Sequence, residues 1–272
     1  MRKILVAFDG NQYSEGAMQF AKRLNQNEKV TVNGLFLPQV ALSGLWSYAD
    51  AMTGMAFVPY MEGESADVVE NNIKRFEKFC SDNGMRHSVS RAFYNLALPE
   101  LRRETRFSDL LILGSETFYQ NVGPQHSEYL KDALHTAECP VVVVPESYKF
   151  PESNILAYDG SESSVFAIKQ FVYLFPELSD NPTTLVTTGP ASDYSEKKQD
   201  IRELVSAHFS SLSFLNLDVD AKKYFATWMA EKKSSILVCG AFSRSMISQL
   251  LRQSFVEDVL RDHKIPVFIS HR

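Results

Sequence analysis

An opening motif occurs twice in this chain. A short apolar run ends in Asp-Gly at VAFDG, and the pattern recurs 150 positions later at LAYDG. The two pairs are Asp9-Gly10 and Asp159-Gly160, and each is followed by a polar turn and a helix-like pattern of apolar residues. A chain that repeats its own opening in this way is expected to contain two copies of one fold.

Later landmarks recur in the same order. Uniformly apolar runs end at Gly114 and at Gly240, and a proline, Pro140 or Pro266, follows each glycine after 26 positions. The interval from the Asp-Gly aspartate to this glycine is 105 positions in the first copy and 81 in the second, so the first copy carries 24 extra residues. The equal spacing of the closing block supports an internal duplication.

The duplication predicts two domains, at 1–147 and 153–272. The segment PESYKFPES joins them, since it contains two prolines and no apolar periodicity. The extra residues of the first domain are centred on an apolar insertion at about 41–62. Strand and helix patterns alternate in both domains, with five strands in each, which predicts two open parallel sheets covered by helices on both faces.

Sheets of this kind bind ligands beyond the carboxyl ends of their strands. The Asp-Gly motif follows the first strand of each domain, and the later glycine ends the fourth strand. If these strands are neighbours, Asp159 faces Gly240 across a crevice, and Asp9 faces Gly114 in the same way. The alternative is that each aspartate only caps the turn or helix that follows it.

The VAFDG and LAYDGSESS openings, the LILGS and LVCGA strand ends and the closing CPVVVVP resemble the universal stress protein family in its tandem, two-domain form. The resemblance covers nearly the whole chain. It implies an α/β fold of two Rossmann-like, adenine nucleotide alpha hydrolase-like domains. It also implies a non-enzymatic role in stress response, and pairing of the domains through their last strands, 141–144 with 267–270.

A nucleotide-binding subset of that family has a glycine signature after the fourth strand: Gly, two residues, Gly, nine residues, Gly, then Ser or Thr. The second domain matches it at Gly240 and Ser254, whereas Ser243 and Gln253 replace the other glycines. The first domain keeps only Gly114. The resemblance therefore predicts ATP or another adenine nucleotide in the second domain only.

The segments that follow Gly114 and Gly240 also differ in charge. Glu116 and Glu128 follow the fourth strand of the first domain, where carboxylates would repel a polyphosphate. Arg244 and Arg252 follow that of the second, either as phosphate ligands or as an exposed charged surface. The predicted nucleotide-binding residues are Asp159, Gly160, Val186, Gly240, Ser243, Arg244, Ser245 and Ser254, with a weaker first-domain set of Asp9, Gly114 and Ser115.

Other chemistry has little support in the sequence. A formal net charge of −5 disfavours a nucleic-acid partner, and no apolar run approaches the length of a membrane span. Three scattered cysteines indicate buried thiols in a reducing, cytoplasmic setting. The six histidines show no metal-ligand spacing. We predict no catalytic residues and no metal.

The insertion contains Trp46, Tyr48, Met52 and Phe57, which predict either a lid packed on its own sheet or a surface for an unknown protein partner or a homodimer. Three functions stay open at this point. They are a stress sensor or scaffold that holds an adenine nucleotide, a partner-binding module without nucleotide, and a nucleotide hydrolase or transferase.

Overall fold

The computed structural model describes residues 1–8, 12–37, 64–91, 97–116, 133–188, 196–217, 228, 232, 234–240 and 264–270. The described strands are β1 Lys3–Phe8, β2 Thr31–Phe36, β3 Arg86–Arg91, β4 Leu110–Gly114, β5 Val141–Val144, β6 Ser153–Tyr158, β7 Thr183–Thr188, β8 Leu212–Leu217, β9 Ser235–Gly240 and β10 Val267–Ser270. The described α-helices are α1 Glu15–Asn27, α2 Glu64–Asp82, α3 Ala97–Arg106, α4 Glu162–Leu174 and α5 Glu196–His208. A helical turn also spans 133–136.

All ten strands form one sheet in the order β3-β2-β1-β4-β5-β10-β9-β6-β7-β8. Strands within each half are parallel, and β1 lies between β2 and β4 as β6 lies between β7 and β9. The predicted α/β class, with five parallel strands in each half, is confirmed. The predicted adjacency of the first and fourth strands is also confirmed in both halves.

The two halves join in the middle of the sheet. β5 pairs antiparallel with β10, in a register that places Val143 opposite Val267 and Val141 opposite Ile269. Both strands are fully buried and carry no charged side chain. Because the junction is antiparallel, the carboxyl ends of the first five strands lie at the opposite edge of the sheet from those of the second five.

Helices cover both faces of the sheet. Alternate residues of β1 enter different cores: Ile4, Val6 and Phe8 pack in one, and Leu5 and Ala7 in the other. The first core is covered by α1, α2, α4 and α5, and the second by α3 and the turn at 133–136. This strict alternation is the consequence of a strand buried on both sides.

Aromatic side chains hold the halves together beside the β5–β10 junction. Phe20 of α1 meets Phe175, which follows α4, with ring centroids 6.2 Å apart, and Phe175 in turn meets Phe268 of β10 at 5.7 Å. The Arg2 guanidinium donates a hydrogen bond to the carbonyl of Leu174 at the end of α4. The hydrophobic core is therefore continuous across the junction.

Several sequence predictions lie outside the described residues. They include the apolar insertion at about 41–62 and the segments that hold Glu128, Arg244 and Arg252. The predicted domain limits at 147 and 153 stay predictions. Among the helices that the structure describes, none is both long enough and apolar enough to cross a membrane.

Candidate functional site

The second half brings three predicted site residues to one end of three neighbouring strands. β6 pairs with β9 in a register that places Leu156 opposite Val238, so that Asp159 and Gly240 both lie beyond the paired ends. On the other side of β6, Ala157 is opposite Val186 of β7. In doubly wound sheets, ligands bind beyond the carboxyl ends of the strands, at the point where the strand order reverses.

A tight turn fixes the position of Asp159. Its Oδ1 atom accepts a hydrogen bond from the backbone N–H of Ser161 at 2.9 Å, and Gly160 between them has a φ of +81°. A left-handed backbone of this kind favours glycine. The other carboxylate oxygen, Oδ2, is buried and has no hydrogen-bond partner among the described residues. The aspartate therefore forms the turn and still holds a spare acceptor.

Ser161 begins α4 immediately after this turn. Its side chain accepts a hydrogen bond from the backbone N–H of Ser164 at 3.2 Å, as an N-cap does. A Cβ atom on Gly240 would lie 2.6 Å from the backbone of Ser163 and Ser164. Glycine at the end of β9 is thus required by the close approach of α4, whether or not a ligand binds there.

The Asp159 carboxylate contributes to the raised pKa of two neighbouring side chains, Cys239 and Tyr158. Burial, and secondarily the Asp159 carboxylate, raise the pKa of Cys239 to about 12. The pKa of Tyr158 is raised by burial and by the carboxylates of Asp159 and Asp200. Burial also raises the pKa of Cys80 and of Cys139 to about 12. These raised pKa values favour the protonated thiol at all three cysteines and disfavour a thiolate nucleophile.

The rest of the predicted second-half site cannot be placed. Ser243, Arg244, Ser245 and Ser254 lie outside the described residues, and so does Asp9 in the first half. The positions of Asp159, Gly160, Val186 and Gly240 agree with a shared crevice, but their assignment to a nucleotide stays a prediction. Within the described part of the chain, no group of His, Cys, Asp and Glu side chains could hold a metal ion.

The residues at the carboxyl ends of the first-half strands are arranged differently. Ser115 follows β4, and its hydroxyl donates a hydrogen bond to Oε2 of Glu116 at 2.7 Å. The same oxygen accepts the backbone N–H of Glu146 at 2.9 Å, and Oε2 of Glu146 accepts the N–H of Gly16 in the first turn of α1 at 3.0 Å. The carboxylates of Glu116 and Glu146 therefore accept hydrogen bonds from the Ser115 hydroxyl and from the N–H groups of Glu146 and Gly16.

Sequence reasoning identified Glu116 but missed Glu146. Glu146 comes two residues after the end of β5, and Gly16 falls in the first turn of a predicted helix. A Cβ atom on Gly16 would lie 2.1 Å from the carbonyl oxygen of Pro145. This contact between α1 and the end of β5 depends on the three-dimensional fold, so the local sequence does not reveal it.

Comparisons with known proteins define the fold. No family model and no curated protein matches the chain. A universal stress protein from Archaeoglobus fulgidus DSM 4304 superimposes on 100% of the chain and 96% of its own length, with a TM-score of 0.66 and 13% identity. A Pseudomonas aeruginosa UCBPP-PA14 protein assigned to the same family gives a TM-score of 0.58 with 12% identity, over 100% of this chain and 93% of its own.

These similarities show a common fold. The chain has the α/β architecture that is found in universal stress proteins, and the resemblance deduced from its sequence motifs is confirmed at the level of the fold. A functionally unknown protein from Pseudomonas aeruginosa PAO1 has the same architecture, with a TM-score of 0.57 and 12% identity over 100% of this chain and 92% of its own. Fold similarity at such identities does not assign a ligand.

Proposed function

We propose that this chain acts in stress response as a non-enzymatic sensor or scaffold, and that its second half alone binds an adenine nucleotide such as ATP. The observation that carries the proposal is the buried Oδ2 atom of Asp159, which has no partner among the described residues. A buried carboxylate oxygen is costly without a donor, and ribose hydroxyls or an adenine amino group would supply one.

The surroundings of Asp159 favour the nucleoside end of such a ligand. The carboxylate would repel phosphates, whereas the N–H groups and hydroxyls expected after β9 suit them. Arg244 and Arg252 follow β9 without an acidic residue up to Val256. In this arrangement the base and ribose lie near Asp159 and Val186, and the phosphates lie towards the segment after Gly240.

The described residues of the first half suit a nucleotide less well, although Oε1 of Glu146 is also buried without a partner among them. The edge donors from Ser115, Gly16 and Glu146 already bond to the carboxylates of Glu116 and Glu146. A nucleotide phosphate would have to displace these bonds and approach two negative charges. We therefore expect one nucleotide for each chain.

Titration calorimetry of the full chain with ATP tests the proposal. We expect one site, and we expect Asp159→Asn to weaken binding by about tenfold, because the amide keeps the turn but donates where the carboxylate accepts. Asp9→Asn, at the matching position of the first half, is the control and should bind as the wild type does. Ser254→Glu should abolish binding through repulsion of the phosphates.

Two results would contradict this function. Absence of ATP binding by the wild-type chain at millimolar concentration would remove the nucleotide and leave partner binding alone. Steady turnover of ATP, measured as released phosphate above the background of an Asp159→Asn preparation, would instead indicate a hydrolase.

A further inference from the structure

An open groove of about 510 Å³ runs between α1 and the joining segment. Gln19, Arg23 and Gln26 line it from the helix, and they share one helix face because they follow one another at spacings of four and three residues. Tyr148 and Phe150 line it from the joining segment. Its described lining residues, which we call the α1 groove, include none of those proposed to bind ATP.

Packing fixes the wall that the joining segment forms. The ring centroids of Tyr148 and Phe150 lie 6.2 Å and 5.5 Å from that of Phe20, a fully buried residue of α1. The Tyr148 hydroxyl also donates a hydrogen bond to the carbonyl of Gly16 at 3.5 Å. The α1 groove is therefore formed by contacts within the chain and does not need a ligand to shape it.

Arg23 is held in position on the helix side of the groove. Its guanidinium carbon lies 5.3 Å from the centroid of the Phe150 ring, and its Nη1 atom donates a hydrogen bond to Oε1 of Gln26 at 3.3 Å. A guanidinium group has more N–H donors than this one bond uses. Arg23 is thus oriented by two neighbours and can still donate to an anion.

The charges that a ligand can reach in this groove are positive. Lys22 also lines it, is half-buried, and has no carboxylate within ion-pair distance among the described residues. Glu146 is the acidic residue of the described lining. Its carboxylate serves the start of α1, because Oε2 accepts the N–H of Gly16 and Oε1 is buried.

A second groove, beside the turn at 133–136, has a different charge balance. Its volume is about 740 Å³, and Arg102 lines it together with Asp109 and Glu138. The Arg102 Nε atom donates to Oε1 of Glu138 at 2.8 Å, so this cation is already paired within the chain. Of these two grooves, the α1 groove is therefore the better site for an anion.

We propose that the α1 groove binds an acidic segment of a partner protein, whose carboxylates pair with Lys22 and Arg23. Arginine binds carboxylates in a fork geometry, and the amides of Gln19 and Gln26 can bond to the backbone of an extended segment. Sites for small molecules are mostly apolar and enclose their ligand, whereas this groove is polar and open. A nucleic acid carries far more negative charge, which the formal net charge of −5 opposes.

Fluorescence anisotropy of the full chain with fluorescein-labelled hexaglutamate tests the proposal. We expect binding at low ionic strength that weakens as salt is added, and no binding of labelled hexaglutamine. Lys22→Glu and Arg23→Glu should each weaken binding by about tenfold or more, since each replaces an attraction by a repulsion. Lys29→Glu makes the same charge change at an exposed lysine beyond α1 and should bind as the wild type does.

Charge reversal gives a positive test that does not depend on loss of binding. A chain with both Lys22→Glu and Arg23→Glu should bind labelled hexalysine at least about tenfold more tightly than the wild type does. Circular dichroism checks that this double variant is folded. Its affinity for ATP, measured by calorimetry, should equal that of the wild type, so that the outcome for this groove is independent of the outcome for Asp159.

Three results would overturn the proposal. The first is a wild-type chain that fails to bind hexaglutamate at millimolar concentration and low salt. The second is a Lys29→Glu variant that loses as much affinity as Lys22→Glu, which would mean attraction to the whole surface and no specific groove. The third is tighter binding of a labelled hexamer of thymidylate than of hexaglutamate, which would indicate a nucleic-acid partner.

Discussion

The two halves share a strand order but begin their first helices in different places. α4 starts at Glu162, three residues after Asp159, whereas α1 starts at Glu15, six residues after Asp9. The first turn of α4 packs on Gly240 at the end of β9. The first turn of α1 packs instead on the backbone of 145–146, directly after β5. The two helices therefore start three residues apart relative to the Asp-Gly motif, and their first turns make close backbone contacts at different strand ends.

The two helix starts also differ in the carboxylates that lie beside them. In the first half, the start of α1 receives the Glu146 carboxylate, so that the positive end of its dipole is neutralised within the chain. Serine side chains cap both helices, Ser14 for α1 and Ser161 for α4, and each half holds one buried carboxylate oxygen, of Glu146 or of Asp159, without a partner among the described residues. The halves therefore differ in which carboxylate lies at the helix start: Glu146 of the joining segment in the first half, and Asp159 of the preceding turn in the second.

Glycine substitutions should give the largest effects, because they test the two helix contacts directly. Gly16→Ala and Gly240→Ala would each force a Cβ atom against backbone, at 2.1 Å and 2.6 Å. We expect each to lower the free energy of unfolding by about 3 kcal/mol or more, as severe overpacking does. Urea denaturation of the full chain measures this.

Gly160→Ala is the matched comparison for these two variants. A Cβ atom added to Gly160 would meet nothing within 4 Å, so the cost comes only from a φ of +81° and should be about 1 kcal/mol. If all three variants lose the same stability, the helix contacts do not explain why Gly16 and Gly240 are glycines.

Substitutions at Glu146 and Asp159 should separate an effect on the stability of the fold from an effect on ATP affinity. Glu146→Ala removes the acceptor for the Gly16 N–H and should cost about 2 kcal/mol of unfolding free energy, without changing ATP affinity. Asp159→Asn retains the turn acceptor and should cost less than about 1 kcal/mol, while ATP affinity falls. Denaturation and calorimetry on the same two preparations give both quantities. A fall in ATP affinity for Glu146→Ala would mean that the two halves are not separate in function.

The sequence predicts most of the fold that the two halves share. Uniformly apolar strands, alternating strand and helix patterns and the repeated Gly-to-Pro spacing predict an α/β fold with five parallel strands in each half. These features are local or periodic, and a parallel sheet with buried faces leaves few alternatives. The meeting of Asp159 and Gly240 at the same end of the sheet follows once β6 and β9 are neighbours.

What the sequence does not predict depends on contacts between distant segments. Gly240 matches a ligand-binding motif, yet the α4 backbone alone is enough to require glycine there. Glu146 lies in the joining segment, and only the packed fold brings it to the start of α1, 130 positions away. A sequence motif describes a single segment. The need for glycine at position 240 and the hydrogen bond from Gly16 to Glu146 each depend on two segments that are distant in sequence.

A smaller difference between the halves lies at the opposite ends of their strands. Glu138 stands two residues before Pro140, where the second half has Lys264 before Pro266. Its exposed carboxylate accepts hydrogen bonds from Arg106 at 2.6 Å and from Arg102 at 2.8 Å. These bonds lower the pKa of Glu138 from 4.5 to about 2, with the Arg106 bond as the largest cause.

A pH titration of stability should detect this arginine–glutamate cluster as the weakest of the expected effects. Because the pKa is lower in the folded chain than in the unfolded chain, the cluster stabilises the fold above pH 4.5, and this stabilisation is lost as the pH falls to about 2. Glu138→Gln should therefore lower the melting temperature slightly at neutral pH and reduce its dependence on pH within that interval. Glu152→Gln, at an exposed side chain of the joining segment, is the control and should keep the wild-type slope. Equal slopes for wild type and Glu138→Gln would show that solvent screens the cluster and that this charge difference between the halves has no energetic consequence.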